Sequence, residues 1–583
     1  MSKFNAVYDK IFKNLYMIIP LLQLLLLELF SHRIWMNTGP FLLNLGIFYA
    51  LFLILLVICG RKGLPIVISS VLWGGIGLAD AMLLQFRQTP ILPWDILSVK
   101  TALSVSSGYH LVLTQRIILS LACFIVFIVL GFFLLKEKAF KTSKKRIISS
   151  IIALLLSVIL IIVIPLENLG KYIPMNNASF LPDIQYSENG FVFSFLRALK
   201  DIKIKKPEGY NAENEEKTIK NAKNISKPEK KPNIIVIMNE AFSDLSVLDN
   251  ELKTNKEVLP FISSLNTNTV KGKAIVSVKG GNTANSEFEF LTSMPVSFYP
   301  SGTVPYQQYV KQNVYSLPDY LKQFNYDTYA FHPAQGTNWK RNIVYPYLGF
   351  DNCFFSENFS EIKIDNPETY RGIISDKTTY DYLINHYEKR DKNKNFFEFC
   401  VTLQNHGGYG EDVSAEFKPD IVASEYDSYN LNTYLSLINK SDEAFKYLTE
   451  YFTDKEPTVI LMFGDHQPAD EVTSVLKGSS YELDKYTVPY VLWANYDIDV
   501  SNNYETTSLN YLSLLLYEKA GISTDDDFHK EISDFREKYP VISTHGIVDN
   551  KGKVYDYNEI DNSVDFLKYR SLNYYLVLEK KTR

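Results

Sequence analysis

Apolar residues crowd the first third of the chain. Five runs there, roughly 14 to 31, 41 to 59, 64 to 86, 116 to 135 and 147 to 165, are each close to the ~20 residues an α-helix needs to cross a bilayer. The pattern predicts a five-helix membrane bundle over residues 1–166. A removable signal peptide would be a single apolar run ending in a small-residue cleavage site, so the first run is read as a retained span. From Glu167 to Lys231 the apolar runs stop, and between Asp201 and Lys231 nine Lys and six acidic residues accumulate. That stretch, 167–231, reads as a solvated linker, and a charged surface helix between 213 and 225 is compatible with the role. From Pro232 to Arg583 short β-branched runs alternate with amphipathic segments, the pattern of an α/β domain. Strands are expected at Asn233–Met238, Asp327–Phe331, Phe396–Leu403 and Thr458–Phe463. The Tyr- and Lys-rich segment from about 546 either packs on this core or touches lipid headgroups.

Basic residues in the short connections orient the bundle. Lys3, Lys10 and Lys13 precede the first span, Arg61 and Lys62 separate the second and third, and six basic residues from Lys136 to Arg146 separate the fourth and fifth. The excess belongs on the cytoplasmic side, so the N-terminus is expected in the cytoplasm and everything after the fifth span outside it. Within the spans Glu28 and Asp80 raise the question of a transport path. Each lies near a predicted outer end, where it can reach the interface, and no Gly/Pro-broken helix pair supports a transporter. The outer loop from Arg87 to Gln115 is expected on the outer leaflet.

Composition acts mainly by exclusion. Sixty Lys and Arg against 65 Asp and Glu give a net charge of −5, which argues against a nucleic-acid partner. The four cysteines, Cys59, Cys123, Cys353 and Cys400, form neither a metal-ligand cluster nor a disulfide framework, and Cys353 and Cys400 read as separate buried thiols.

Each of the four expected strands is followed within three residues by a group able to bind metal or move protons: Glu240, His332, His406, and the pair Asp465 and His466. In open α/β sheets ligands bind outside the carboxyl ends of the strands, so the four endings can converge on one site. Singly they have ordinary explanations as helix-start carboxylate, loop histidine or turn residue. Gly280-Gly281-Asn282-Thr283-Ala284-Asn285-Ser286-Glu287-Phe288-Glu289 supplies a nucleophile candidate in Thr283, since two glycines let backbone approach an anion at a helix start. The alternative is a plain N-cap at Asn282 or Thr283 with the glutamates complementing the helix dipole. A hydroxyl becomes a useful nucleophile when its pKa is lowered, and a divalent cation held by Glu240, Asp465 and His466 would do that. Oxygen ligands with one imidazole suit manganese, magnesium or zinc, and ligand softness alone does not choose among them.

These residues resemble the lipoteichoic acid synthase family, membrane phosphoglycerol transferases within the alkaline phosphatase and sulfatase superfamily. The similarity runs over nearly the whole chain. It rests on Asn233 to Phe242 around Glu240, on Thr283 to Glu289, on His332 through Trp339-Lys340-Arg341, on Gln404-Asn405-His406, and on Phe463-Gly464-Asp465-His466. The resemblance implies a sulfatase-like domain over 232–583. It also implies that Glu240, Thr283, Asp465 and His466 bind one divalent metal with Thr283 as nucleophile, and that His332, Trp339, Arg341 and His406 line a glycerophosphate pocket. Arg341 offers a planar donor fork to phosphate, His406 protonates or positions an oxygen, and Trp339 walls the pocket; the alternative for Trp339 and Arg341 is a surface helix. Gln467-Pro468 after the metal pair, and Asn239 and Ala241 flanking Glu240, mark a divergent branch. Ser293-Met294-Pro295-Val296-Ser297 lacks the Arg that sulfatases require, which disfavours sulfate ester hydrolysis. The implied activity is transfer of glycerophosphate from phosphatidylglycerol, through Thr283, to a glycolipid or teichoic-acid-like acceptor at the outer face of the cell membrane. Rivals are transfer of another headgroup such as phosphoethanolamine, a phosphodiesterase, and a non-enzymatic anionic-polymer-binding module.

Overall fold

The structure is a computed structural model and describes residues 15–31, 36–87, 90–98, 112–166, 169–170, 172–175, 182–199, 204–222, 231–300, 302–361, 364, 366–411, 416–501, 505–560 and 563–579. Lys3, Lys10 and Lys13, much of the loop between Arg87 and Gln115, and part of the linker lie outside the described residues. The chain divides into two compact units: Met1–Ile96 with Leu111–Ile204 and Pro300–Gly302, and Leu97–His110 with Lys205–Tyr299 and Thr303–Arg583.

Among the described residues, the first unit has four helices long and apolar enough to cross a membrane: Thr38–Cys59, Gly63–Gln85, Gln115–Phe133 and Ser143–Val163. The first of the five expected spans is a shorter apolar helix, Leu15–Phe30, whose opening turn Leu15–Ile18 is 3-10 and precedes Pro20. Ile151, Leu154 and Ile161 are exposed, as lipid-facing side chains are. Small residues allow close crossings: a Cβ on Gly63 would meet the Gly131 carbonyl at 2.1 Å, and one on Gly77 would meet the Phe30 ring at 2.3 Å. Gln23 donates to Ser69 Oγ at 2.9 Å and to Ser70 Oγ at 2.8 Å between helices. Glu28 and Asp80 are 1% exposed and serve as backbone acceptors. Glu28 Oε1 accepts the N–H of Phe191 at 2.8 Å, the first residue of the helix Phe191–Ala198. Asp80 accepts the N–H of Ile91 at 2.8 Å and the Ser31 hydroxyl at 2.5 Å.

The second unit is built on an eight-stranded mixed sheet of β1 (Asn233–Asn239), β2 (Thr269–Ile275), β3 (Tyr326–Phe331), β4 (Asn352–Phe354), β7 (Asn395–Val401), β8 (Thr458–Gly464), β9 (Thr487–Ala494) and β10 (Thr506–Ser508). The order is β10-β2-β9-β8-β1-β7-β3-β4. Strands β8, β1, β7, β3 and β4 run parallel, and β9 joins β8 antiparallel. The four strands expected from the sequence are neighbours at the centre, and β1 and β8 are buried along their whole lengths because a parallel sheet is covered on both faces. On one face Ile235, Ile237, Ile460, Met462 and Cys400 pack against Leu383 of the helix Asp376–Lys389 and Leu435 and Ile438 of Tyr429–Phe452. On the other, Phe290 of the wholly buried helix Thr283–Thr292 packs on Phe399 and Phe463. A hairpin of β5 (Thr369–Tyr370) and β6 (Ile373–Ile374), and a small sheet of β11 (Val541–Ser543), β12 (Gly546–Val548) and β13 (Val554–Tyr555), complete the strands.

Two peripheral segments are more ordered into this unit than their composition suggests. The charged helix expected in the linker is Ala212–Ala222; it buries Ile219 and packs against the helix Asp527–Lys538. Tyr210 donates to Glu579 at 2.9 Å and meets Tyr574 edge-on at 5.1 Å. The segment after 546 packs on the core, with Phe566 and Tyr569 buried against Phe298 and Phe535.

Candidate active site

The site starts from strand register. Asn239, the last residue of β1, pairs with Gly464, the last of β8, so the residues that follow, Glu240 and Asp465, emerge side by side. Gly464 is required there because a Cβ would lie 1.9 Å from the Phe242 carbonyl oxygen. Ala241, at φ 47, turns its N–H onto Asp465 Oδ1 at 2.7 Å. The His466 Nδ1 lies 2.9 Å from the Gln467 carbonyl, which fixes the proton on Nδ1 and leaves the Nε2 lone pair facing inward. That lone pair meets Asp465 Oδ2 at 3.2 Å and Glu240 Oε1 at 3.7 Å.

Two carboxylates and a lone pair facing one another in a buried space repel unless a positive charge lies among them. Asp465 Oδ2 and His466 Nε2 have no hydrogen-bond partner, and one ligand atom from each of Glu240, Asp465 and His466 lies within 4.8 Å of the other two. Burial and the neighbouring Asp465 push the Glu240 carboxyl well up, and burial pushes Asp465 up. The donor set therefore fits a divalent cation, with oxygen and imidazole ligands compatible with manganese, magnesium or zinc.

Thr283 opens its helix beside these groups, and its hydroxyl donates to Glu240 Oε2 at 3.5 Å. Three successive positive-φ residues, Gly280 (66°), Gly281 (151°) and Asn282 (63°), deliver it, a path open to Gly and Asn at little cost. The Gly280 N–H donates to the Gln467 carbonyl at 2.9 Å and Ser286 Oγ to the Asp465 carbonyl at 2.6 Å, tying the Thr283 helix to the Asp465-His466 loop. The plain-cap alternative does not describe this helix start. Asn282 makes no side-chain cap bond, no acidic residue lies in the first turn, and Glu287 and Glu289 are buried with other partners.

Around this centre the expected pocket residues fare differently. His332 follows β3, is buried, and has Nδ1 3.0 Å from the Val401 carbonyl; burial and Arg341 hold its pKa well below the usual value. Burial, His466 and Arg371 hold His406 at about 4, so it is a neutral ring at physiological pH. Arg341 is close enough to act on Glu240 electrostatically, but its fork is already engaged: Nε and Nη2 donate to Glu287 Oε1 at 3.0 and 2.5 Å, and Tyr345 donates to Glu287 Oε2 at 2.9 Å. Trp339 and Lys340 are in left-handed conformation (φ 53 and 60), so the helix begins only at Arg341 and Trp339 sits half-buried in the bend before it. Ser293 lies at the opposite end of the Thr283 helix and shares a hydrogen bond with Ser513 at 3.0 Å.

Sequence reasoning missed the support. Asn239 Nδ2 donates to Asp376 at 2.7 Å, Asn405 donates to Asn239 Oδ1 and to Ser441 at 2.9 Å each, and Ser441 donates to Asp376 at 2.6 Å. This buried network joins the ends of β1 and β7. Its signals were faint: Asn239 stood out only as a departure, and Ser375-Asp376 reads as a helix start. Cys400 is buried in the core and Cys353 half-buried, and they are not disulfide-linked.

Residues 232–522 match the sequence profile of the sulfatase family. A Rhizobium meliloti (strain 1021) protein named for cyclic beta-1,2-glucan modification is 30% identical over 353 residues, 58% of this chain and 53% of that protein. A Bacillus subtilis (strain 168) protein described as lipoteichoic acid synthase-like YvgJ is 27% identical over 267 residues, 44% of this chain and 40% of its own length. The chain spans about half the length of the curated relatives it matches. Among solved structures, the Streptococcus pyogenes phosphoglycerol transferase GacH superposes with a TM-score of 0.52 at 21% identity, covering 65% of this chain and 96% of that one, which establishes a shared fold. Over residues 232–522 this chain is a sulfatase-family domain, as the lipoteichoic acid synthase resemblance implied.

Proposed function

We propose that the protein is a metal-dependent phosphotransferase that moves glycerophosphate from phosphatidylglycerol to a glycolipid or polyglycerophosphate acceptor. The carrying observation is the pairing of Thr283 Oγ, 3.5 Å from Glu240, with the unsatisfied Asp465 Oδ2 and His466 Nε2 at the same strand ends. Glu240, Asp465 and His466, with Thr283, would hold a divalent cation, which would supply Lewis acidity that lowers the hydroxyl pKa. Thr283 gives up its hydroxyl proton as Oγ forms a bond to phosphorus and the bond from phosphorus to the diacylglycerol oxygen breaks; the departing oxygen takes up one proton in exchange and diacylglycerol leaves. An acceptor hydroxyl then attacks the same phosphorus in line, the Thr283 Oγ–P bond breaks, and the acceptor proton passes to a base. The neutral His406 ring serves as hydrogen-bond acceptor or base at that step, while His332 and Trp339 border the headgroup. Residues 1–166 anchor the enzyme and 232–583 work on the extracytoplasmic side, where the donor lipid diffuses past in two dimensions; of the segment between them, Phe191–Ala198 packs with the apolar helices and Ala212–Ala222 with the second unit.

The names of two relatives support this reading, one lipoteichoic acid synthase-like and one a phosphoglycerol transferase solved with sn-glycerol-1-phosphate. The glucan-named relative favours a second reading with the same donor half-reaction and a soluble or surface glucan as acceptor. Full-length protein given fluorescent phosphatidylglycerol and manganese should release labelled diacylglycerol, with a chelator and Thr283→Ala as controls. Release that survives Thr283→Ala sinks the covalent mechanism; release only from phosphatidylethanolamine moves the donor assignment; label on added glucan selects the second reading.

A further inference from the structure

The turn Gln404–Gly408 after β7 carries His406, and its backbone is held by a residue that none of the sequence motifs includes. Arg371 Nη2 donates to the carbonyls of Gln404 at 2.7 Å and His406 at 3.0 Å, and Nη1 donates to that of Gly408 at 2.9 Å. Its guanidinium lies 5.1 Å from the centroid of the Tyr409 ring, whose hydroxyl donates to the Asn405 carbonyl. Glu471 accepts the Gly408 N–H at 3.2 Å. Carbonyls 404, 405, 406 and 408 are thus all occupied, three of them by one side chain.

The backbone under Arg371 is unfavourable for it. Arg371 (φ 55) and Gly372 (φ 72) are the two central residues of the turn joining β5 to β6. A two-residue hairpin with both central residues left-handed is the place for Asn, Asp or Gly. An arginine there is strained, and strain of this kind persists where the side chain has a use. Arg371 forms no ion pair among the described residues, whereas Arg341 is matched by Glu287. Both of its Nη groups are spent on the His406 turn, while Nε is buried without a partner.

We infer that Arg371 is the positioning residue for His406, acting on substrate through that ring and not by contact. The inference rests on the role proposed for His406 above. Its test uses the full-length protein in detergent with Arg371→Asn, Arg371→Lys, His406→Ala and the Arg371→Asn/His406→Ala double variant. Asn suits the left-handed turn and relieves its strain, which offsets part of the cost of leaving three carbonyls without their donor, so Arg371→Asn should still fold, melting at most ~10 °C below wild type. Hydrogen exchange at the amides of 404–408 should nevertheless speed up. Diacylglycerol release should fall ~100-fold, as expected when a reacting group is displaced by about an ångström. Arg371→Lys, which keeps the charge without the fork, should restore part of it. The double variant should be no more than about twofold worse than His406→Ala alone, because the two act as one unit. Losses that multiply in the double variant, wild-type turnover in Arg371→Asn, or unchanged exchange over 404–408 would each overturn the inference. A wild type inactive on phosphatidylglycerol would instead sink the donor assignment, and the exchange measurement would still decide whether Arg371 holds the turn.

Discussion

Both units bury carboxylates, and they use them in opposite ways. Among the apolar helices Glu28 and Asp80 receive backbone N–H groups, from Phe191 and Ile91, and so start or anchor the segments that follow. At the ends of β1 and β8, Glu240 and Asp465 face each other and the His466 lone pair, with Asp465 Oδ2 and His466 Nε2 lacking any donor. The lesson is that a buried acid in a span is no stronger a sign of chemistry than one in a loop. What separates the two groups is convergence: Asp465 also accepts a backbone N–H, from Ala241, but one ligand atom from each of Glu240, Asp465 and His466 is brought within 4.8 Å of the others.

The contrast breaks most visibly in turnover. Thr283→Ala should lower diacylglycerol release by at least ~10³-fold with the melting temperature held, since a covalent nucleophile has no substitute. Chelation should abolish release to the same extent and lower the melting temperature, because a cation at 100 times its Kd stabilises by about 2.7 kcal/mol; manganese should restore both, and a melting temperature indifferent to chelator and metal would mean that no cation balances Glu240 and Asp465. Glu289, one face away on the same helix, gives an intermediate effect. Burial holds its carboxyl at about 7 against the offsetting bonds from Ser277 and Val296. Between about 4.5 and about 7 the folded chain keeps a proton that the unfolded chain has lost, so stability should fall as pH rises across that window, by about 3 kcal/mol in all. Glu289→Gln should remove this slope and raise the melting temperature at pH 8, with equal slopes in variant and wild type counting against it. The smallest effect sharpens the other side: Glu28→Ala should cost about 2 kcal/mol of stability by stranding the Phe191 amide, while turnover per folded molecule stays within about threefold. A collapse of turnover in folded Glu28→Ala protein would show that the helical unit's acids do take part.

Much of the second unit was legible because its strands are central and parallel. Asn233–Asn239 and Thr458–Gly464 are buried along their whole lengths, so they spell continuous apolar runs, and each ends in a polar residue at the sheet's working edge. Residues adjacent in sequence to those strand ends, Glu240, Asp465, His466 and His332, could therefore be singled out as candidates, and the first three converge. What was not legible depends on pairings between distant segments. Arg341 looked like a free donor fork because its partner Glu287 lies 54 residues away on another helix. Arg371 gave no signal, since a strained turn residue cannot be told from a surface arginine without its φ. Asn239 and Asp376 likewise acquire meaning only when β1 and β7 are laid side by side. In the helical unit, the apolar pattern marked the long spans, but hydropathy does not see that Glu28 has an amide waiting 163 residues on.

The docking of Ala212–Ala222 on Asp527–Lys538, with Tyr210 against Glu579 and Tyr574, bears on how the second unit can be handled in isolation. Its beginning and its end meet, so the fold closes on itself like a clasp. A fragment cut at Pro232, where the family match starts, would remove the helix that packs on Asp527–Lys538, together with the Tyr210–Glu579 hydrogen bond. One begun at Lys205 would carry its own lid, and its two ends, already neighbours, would tolerate rejoining in permuted order.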